Sequence, residues 1–213
     1  MLVTGNVLGN YDKSIGKVTF QKWKDKLIGR QKPELVSNPN TVLQQGVRAA
    51  FKARTAFFRL IAQIVMIGLR EFATTSTQLA KFQSFNKAAI KSDGQGGVDV
   101  TNEDIVIAKG SLGNTFASSV ALNGAGTGVT ISYPSSLDFQ SQSNSDMLCV
   151  LLVNEDKDAD IKIKVDAALR SAGTATVTLP PLAVSGDHIG VYYFFKSQTS
   201  DKVSDSVYAQ ITV

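Results

Sequence analysis

Apolar residues follow two rhythms along this chain. From Val47 onward, Phe51, Phe58, Ile61, Val65, Gly68 and Phe72 return at three- and four-residue steps that skip Arg54, the spacing of a helix with one buried stripe. The preceding Ser37-Asn38-Pro39-Asn40-Thr41 supplies a start: Asn38 ahead of a first-turn Pro39, or Asn40, can cap the helix, and Thr41 with Gln44 has capping-box spacing. A helix over 41–72 rises about 1.5 Å per residue to roughly 45 Å. That exceeds what a small domain needs, so the stripe is expected to meet a second helix or a neighbouring copy. Arg48, Lys52 and Arg59 share another face. Thr75 or Ser76 can cap a second helix carrying Leu79, Phe82, Phe85 and Ala89, which completes a helical hairpin.

Beyond the Gly-rich stretch 91–97 the period shortens. Strands are expected at 105–108, 116–122, 129–133, 147–153, 160–165, 174–179, 188–195 and 206–213, parted by turns such as Gly126-Thr127-Gly128 and Ser185-Gly186-Asp187. Ile161, Ile163 and Val165 alternate with Lys162 and Lys164, giving one wet face, whereas 147–153 is apolar throughout and reads as buried on both faces. Short strands at this spacing predict an antiparallel β-sandwich. Near the start, Val18, Phe20 and Trp23 precede Lys24-Asp25, and Leu27 and Ile28 precede Gly29, the pattern of a short basic hairpin. The expected fold is α+β in two domains: 1–91, a basic hairpin plus helical module, and 92–213, the sandwich.

Charge sharpens that division. Residues 1–91 hold 15 Lys and Arg against 4 Asp and Glu, while residues 92–213 hold 7 against 14. Such an asymmetry points to a basic surface that meets an acidic neighbour or nucleic acid. A lone cysteine, Cys149, excludes an intrachain disulfide. Residues 1–10 have neither the basic nor the apolar region of an export signal, and the ten-residue run Leu60–Leu69 is far shorter than the ~20 residues needed to span a bilayer. The expected location is a virion or the cytoplasm.

Candidate chemistry is sparse. His188, the one histidine, sits at a strand start and reads as structural; Cys149 lies in an apolar run with no charged neighbour to lower its pKa and reads as a small buried hydrophobe. Asp156, Asp158 and Asp160 alternate as calcium ligands can, but Ile161 and Ala167 stand where an EF-hand needs Gly and Glu, which leaves a solvated turn. The Gly-rich stretches 94–97 and 124–128 lack the strand-to-helix setting of a phosphate loop. No catalytic residue, cofactor, metal or small-molecule substrate is therefore expected. The basic segment is richer, with Lys17, Lys22, Lys24, Lys26, Arg30 and Lys32 interleaved with Phe20 and Trp23. It suits an edge hairpin kept soluble by lysines, an acidic protein surface, or nucleic acid whose phosphates the cations neutralise while a ring stacks on a base.

The same residues carry a resemblance. Gly16-Lys17-Val18, Lys22-Trp23-Lys24, Arg30-x-Lys32-Pro33, the run Asn38-Pro39-Asn40-Thr41-x-x-Gln44-Gln45-x-x-Arg48-x-x-Phe51 and the ending Ser204-Asp205-Ser206-Val207-Tyr208 together resemble a bacterial and bacteriophage-borne family of unknown function. Its members pair a basic hairpin, an N-P-x-T-x-x-Q-Q-x-x-R-x-x-F helix start and a C-terminal immunoglobulin-like β-sandwich, so the resemblance implies that type for the sandwich at 92–213. Asn40 departs from the basic residue more frequent there. The resemblance implies no activity. Together with the charge division and the long helix, it gives the expectation of a non-enzymatic structural protein: a minor virion component such as a capsid vertex, decoration or connector protein. Its expected partners are further copies of itself and other capsid-type proteins, met through Lys17, Phe20, Lys22, Trp23, Lys24, Lys26, Arg30, Lys32, Arg48, Lys52 and Arg59. The alternatives are a nucleic-acid-associated module built on the hairpin, and an adhesion or carbohydrate-binding sandwich using Tyr192, Tyr193, Phe194 and Phe195.

Overall fold

A computed structural model describes residues 2–3, 14–23, 26–32, 40–113, 117, 119–137 and 140–213. The chain forms two compact units, Met1–Asn40 and Thr41–Val213. In the first, β1 (Leu2–Val3), β2 (Ser14–Ile15), β3 (Val18–Trp23) and β4 (Lys26–Gln31) pair antiparallel in the order β1-β4-β3-β2. The expected hairpin is β3–β4, with Trp23 opposite Lys26. Phe20 lies opposite Gly29, and its ring covers the space where a Gly29 side chain would stand.

The second unit begins with α1 (Val42–Gly68), then a 3₁₀ turn at Arg70–Phe72 and α2 (Gln78–Phe85). Two short strands follow, β5 (Ile90–Ser92) and β6 (Val98–Val100), paired as a hairpin. Seven more strands complete it: β7 (Ser119–Leu122), β8 (Gly128–Ser132), β9 (Met147–Asn154), β10 (Ile161–Lys164), β11 (Thr174–Thr178), β12 (His188–Lys196) and β13 (Val207–Thr212). All pair antiparallel, in one sheet of order β10-β9-β12-β13 and another of order β11-β8-β7.

The pleat of β9 and β12 explains how these layers join. Leu148, Val150 and Leu152 of β9 and Ile189, Val191, Tyr193 and Phe195 of β12 pack with Val129, Ile131, Ala175 and Val177 of the other sheet. The alternate residues Cys149 and Leu151, with Tyr192 and Phe194, pack with Ile61, Ile64, Val65 and Leu69 and with Phe82 of α2. A sheet buried on both faces needs apolar residues at successive positions, which is why 147–153 shows no alternation.

This shared core corrects the expected boundary between 91 and 92. The helices and the sheets form one unit, and the division falls between Asn40 and Thr41. The Gly-rich stretch at that expected boundary is the turn of β5–β6: Asp93 Oδ1 accepts from the backbone N–H groups of Gln95 and Gly97, and Gly94 and Gly96 take φ of +80° and +97°. The expected strand at 105–108 is a buried extended segment outside either sheet. Asn86, wholly buried, stands in for a neighbouring strand, donating from Nδ2 to the Val106 carbonyl at 2.9 Å and accepting the Val106 N–H at 2.7 Å. The second helix is capped by Thr77, not Thr75 or Ser76.

Candidate functional site

The capping box forms as its spacing predicts: Thr41 Oγ1 accepts from the Gln44 N–H, and Gln44 Oε1 accepts from the Thr41 N–H, both at 3.3 Å. What lies beyond it differs from the expected stripe. The buried side of the first half of α1 is Gly46, Ala50 and Arg54, not Val47 and Phe51. Small residues let β5–β6 approach closely; a Cβ on Gly46 would collide with Ser92 and stand 3.5 Å from the Gly96 Cα. Arg54, 8% exposed, then reaches across, donating from Nη1 to the Ile90 carbonyl at 2.5 Å and from Nε to Gln83 Oε1 at 2.8 Å. Gln83 Nε2 in turn donates to Thr55 Oγ1 at 2.7 Å. Burial of the guanidinium lowers its pKa, and the two acceptors keep the charge satisfied.

With the helix rolled this way, Leu43, Val47 and Phe51 remain 67%, 63% and 56% exposed. Their i, i+4, i+8 spacing makes one apolar row about 12 Å long. Arg48 and Lys52 lie one position on from Val47 and Phe51 and are exposed, as is Arg59 further along. No Asp or Glu occurs anywhere in α1. The result is a face of apolar and cationic rows side by side, on a helix held from behind by β5 and α2.

In the first unit Lys17, Arg30 and Lys32 are exposed and Phe20 is half-buried. The Lys32 N–H donates to the Lys17 carbonyl at 2.7 Å, and Arg30 lies opposite Thr19, which gathers three cations at one end of the hairpin. Lys22, Trp23 and Lys26 occupy strand positions whose side chains lie outside the described residues, as does Lys24 entirely.

Several candidates resolve as structure. Tyr192, Tyr193, Phe194 and Phe195 are all buried, two on each side of β12, so they offer no exposed platform for carbohydrate. Cys149 is buried, and burial pushes its thiol up to about 11. His188 is half exposed and its Nδ1 lies 3.0 Å from Asp156 Oδ2, whose carboxyl is held below the usual range by the His188 backbone N–H and then by the ring.

Sequence reasoning missed a second exposed feature, the loop between β11 and β12. Leu182 and Val184 stand 61% and 56% exposed on a tightly held backbone. The Leu182 N–H donates to Asp160 Oδ1 at 3.1 Å, the Val184 N–H to Asp187 Oδ2 at 2.9 Å, and Lys157 Nζ to both the Leu182 carbonyl and Asp187 Oδ2 at 2.6 Å. Buried Asn154 bridges Asp160 and Asp187 from Nδ2 at 3.0 and 2.8 Å. These donors, Lys157 first, hold the Asp187 carboxyl down to about 2. Pro180-Pro181 followed by apolar residues in a turn was the available signal.

Among the described residues no group of His, Cys, Asp and Glu is placed to hold a metal ion, and no helix is long and apolar enough to cross a membrane. No curated protein and no solved structure matches the chain. The profile of a family of unknown function, DUF6266, matches residues 10–210. That match spans both compact units, from the basic hairpin to the last strand, and the protein therefore belongs to DUF6266, a family of unknown function.

Proposed function

We propose that the protein is a non-enzymatic structural protein, a minor component of a bacteriophage-type particle such as a capsid vertex, decoration or connector protein. It joins its neighbours through the exposed face of α1 and through the basic hairpin. The observation that carries this reading is the apolar row Leu43–Val47–Phe51 beside Arg48 and Lys52 on a helix already fixed from behind. Exposed apolar rows of this kind mark interaction surfaces, and flanking cations select acidic partners. The two C-terminal sheets are read as an immunoglobulin-like sandwich. Seven strands in orders β11-β8-β7 and β10-β9-β12-β13, with the chain changing sheet after β8, β10 and β11, support that reading.

The test is to purify particles from cells that carry the gene by density gradient and to probe the fractions for this chain. The wild-type chain is expected to band with the particles after nuclease treatment, and an Arg48→Glu/Lys52→Glu variant to remain at the top of the gradient. A wild-type chain found only at the top would contradict the proposal. Nucleic acid is the second reading, favoured by the cations Lys17, Arg30 and Lys32 at one end of the hairpin. Release of the chain by nuclease, or by raising salt from about 0.05 to 0.2 M, would decide for it.

A further inference from the structure

Two surfaces of the Thr41–Val213 unit complement each other, yet each belongs to a separate part of it. The α1 face offers Leu43, Val47 and Phe51 beside Arg48 and Lys52. The tip made by the β9–β10 turn and the β11–β12 loop offers Leu182 and Val184 beside the exposed carboxylates of Asp156 and Asp158. Within this unit residues 41–91 hold 8 cationic and 1 acidic side chain, and residues 92–213 hold 7 and 14. The Thr41–Val213 unit is thus neutral as a whole but strongly divided in charge.

We infer that the α1 face of one copy binds the β9–β10/β11–β12 tip of a second copy, Leu182 and Val184 packing on the Leu43–Val47–Phe51 row while Asp156 and Asp158 meet Arg48 and Lys52. This inference rests on the reading of α1 as an assembly face and names its occupant. A symmetric α1–α1 pair is disfavoured, because α1 carries no carboxylate and would set like charges against each other. An acidic tip reverses that sign. It is also prepared for binding: Leu182 and Val184 have their backbone positions fixed by Asp160, Asp187 and Lys157 before any partner arrives, so little loop ordering remains to oppose association.

Contact between two different surfaces is head-to-tail, and repetition gives a ring or an open row of copies. So few apolar residues imply a small, weak interface, one that operates where copies are concentrated, as on a particle.

The test uses the full chain and two exposed-surface pairs, Val47→Ser/Phe51→Ser on the helix and Leu182→Ser/Val184→Ser on the tip. Nuclease-treated protein is followed by size exclusion with light scattering from about 1 to 300 µM. The wild type is expected to gain mass with concentration and to lose the gain in 1 M salt, where exposed charges are screened over about 3 Å. Each pair alone is expected to weaken association about tenfold or more, with an unchanged far-ultraviolet circular dichroism spectrum showing that the fold survives. A mixture of the two variants keeps one good face and one good tip, so its mass should stop at a 1:1 dimer. A wild type that stays monomeric, association that either pair leaves unchanged, or a mixture that stays monomeric would overturn the inference. A monomeric wild type that still bands with particles overturns this inference alone. A chain that self-associates as described but never bands with particles overturns the particle reading alone.

Discussion

Asp146→Ala is expected to lower the unfolding free energy by about 3–5 kcal/mol, much of the 5–15 kcal/mol typical of a domain. Arg170 and Asp146 are both fully enclosed, the guanidinium Nε donating to Asp146 Oδ2 at 3.2 Å. The guanidinium also stacks on Phe195, 3.9 Å from the ring centre, and Phe195 packs edge-on against Tyr133 at 5.2 Å. A backbone bond from the Arg170 N–H to the Asp146 carbonyl, 2.7 Å long, fixes the two segments in register. Removing the carboxylate takes the Nε acceptor away from a guanidinium that is wholly buried, where lost charge compensation is costly. Urea unfolding of Asp146→Ala, Arg170→Met and the double variant measures this. The double variant should lose less than the sum of the singles, because it strands no charge. A loss below about 1 kcal/mol for Asp146→Ala would show that the pair contributes little.

Gly68→Ala should lower the melting temperature, although alanine in a helix normally stabilises by about 0.5–1 kcal/mol relative to glycine. A Cβ at Gly68 would collide with the Ile107 carbonyl oxygen and stand 2.7 and 2.9 Å from the Ala108 Cβ and Cα. Main chain on the facing side cannot swing away as a side chain can. The Lys109 N–H donates to the Gly68 carbonyl at 3.0 Å, holding the close approach in place. Overpacking of this kind costs about 1–3 kcal/mol, which at this chain length shifts the midpoint down by roughly 2–12 °C. Calorimetry of the single variant is sufficient, and an upward shift would mean that the helix end stands off from 107–108.

The strands of the second unit were legible because their signal is local. Alternation in Ile161–Lys164 and the apolar run of Met147–Asn154 each state how many faces are covered. The helix start was legible for the same reason, since Thr41 and Gln44 meet within one turn. The roll of α1 was not. Val47 and Phe51 are as apolar as Ile61 and Val65, and only the approach of β5–β6 to Gly46 and Ala50 decides that the first pair faces outward. That approach depends on two three-residue strands too short to show a period, and on a buried arginine that charge alone places at the surface. The same limit applies to the candidate site. The sign and spacing of Arg48, Lys52 and Arg59 single them out, whereas the same periodicity assigns Val47 and Phe51 to the buried stripe and is silent on Leu43. Leu182 and Val184 were passed over because a turn is read for its Pro and Gly, and the fold alone shows that these two side chains face outward.

The central claim is that the first half of α1 is a face used in assembly, and Val47 reports on it directly. Cys149 is buried with its thiol pushed up to about 11 and should react slowly, so a Val47→Cys variant carries one fast thiol. Its reaction with a coloured disulfide reagent should be fast in the dilute chain and at least about tenfold slower in purified particles, while Cys149 stays unreactive in both. Equal rates at position 47 in the dilute chain and in the particle would contradict the claim.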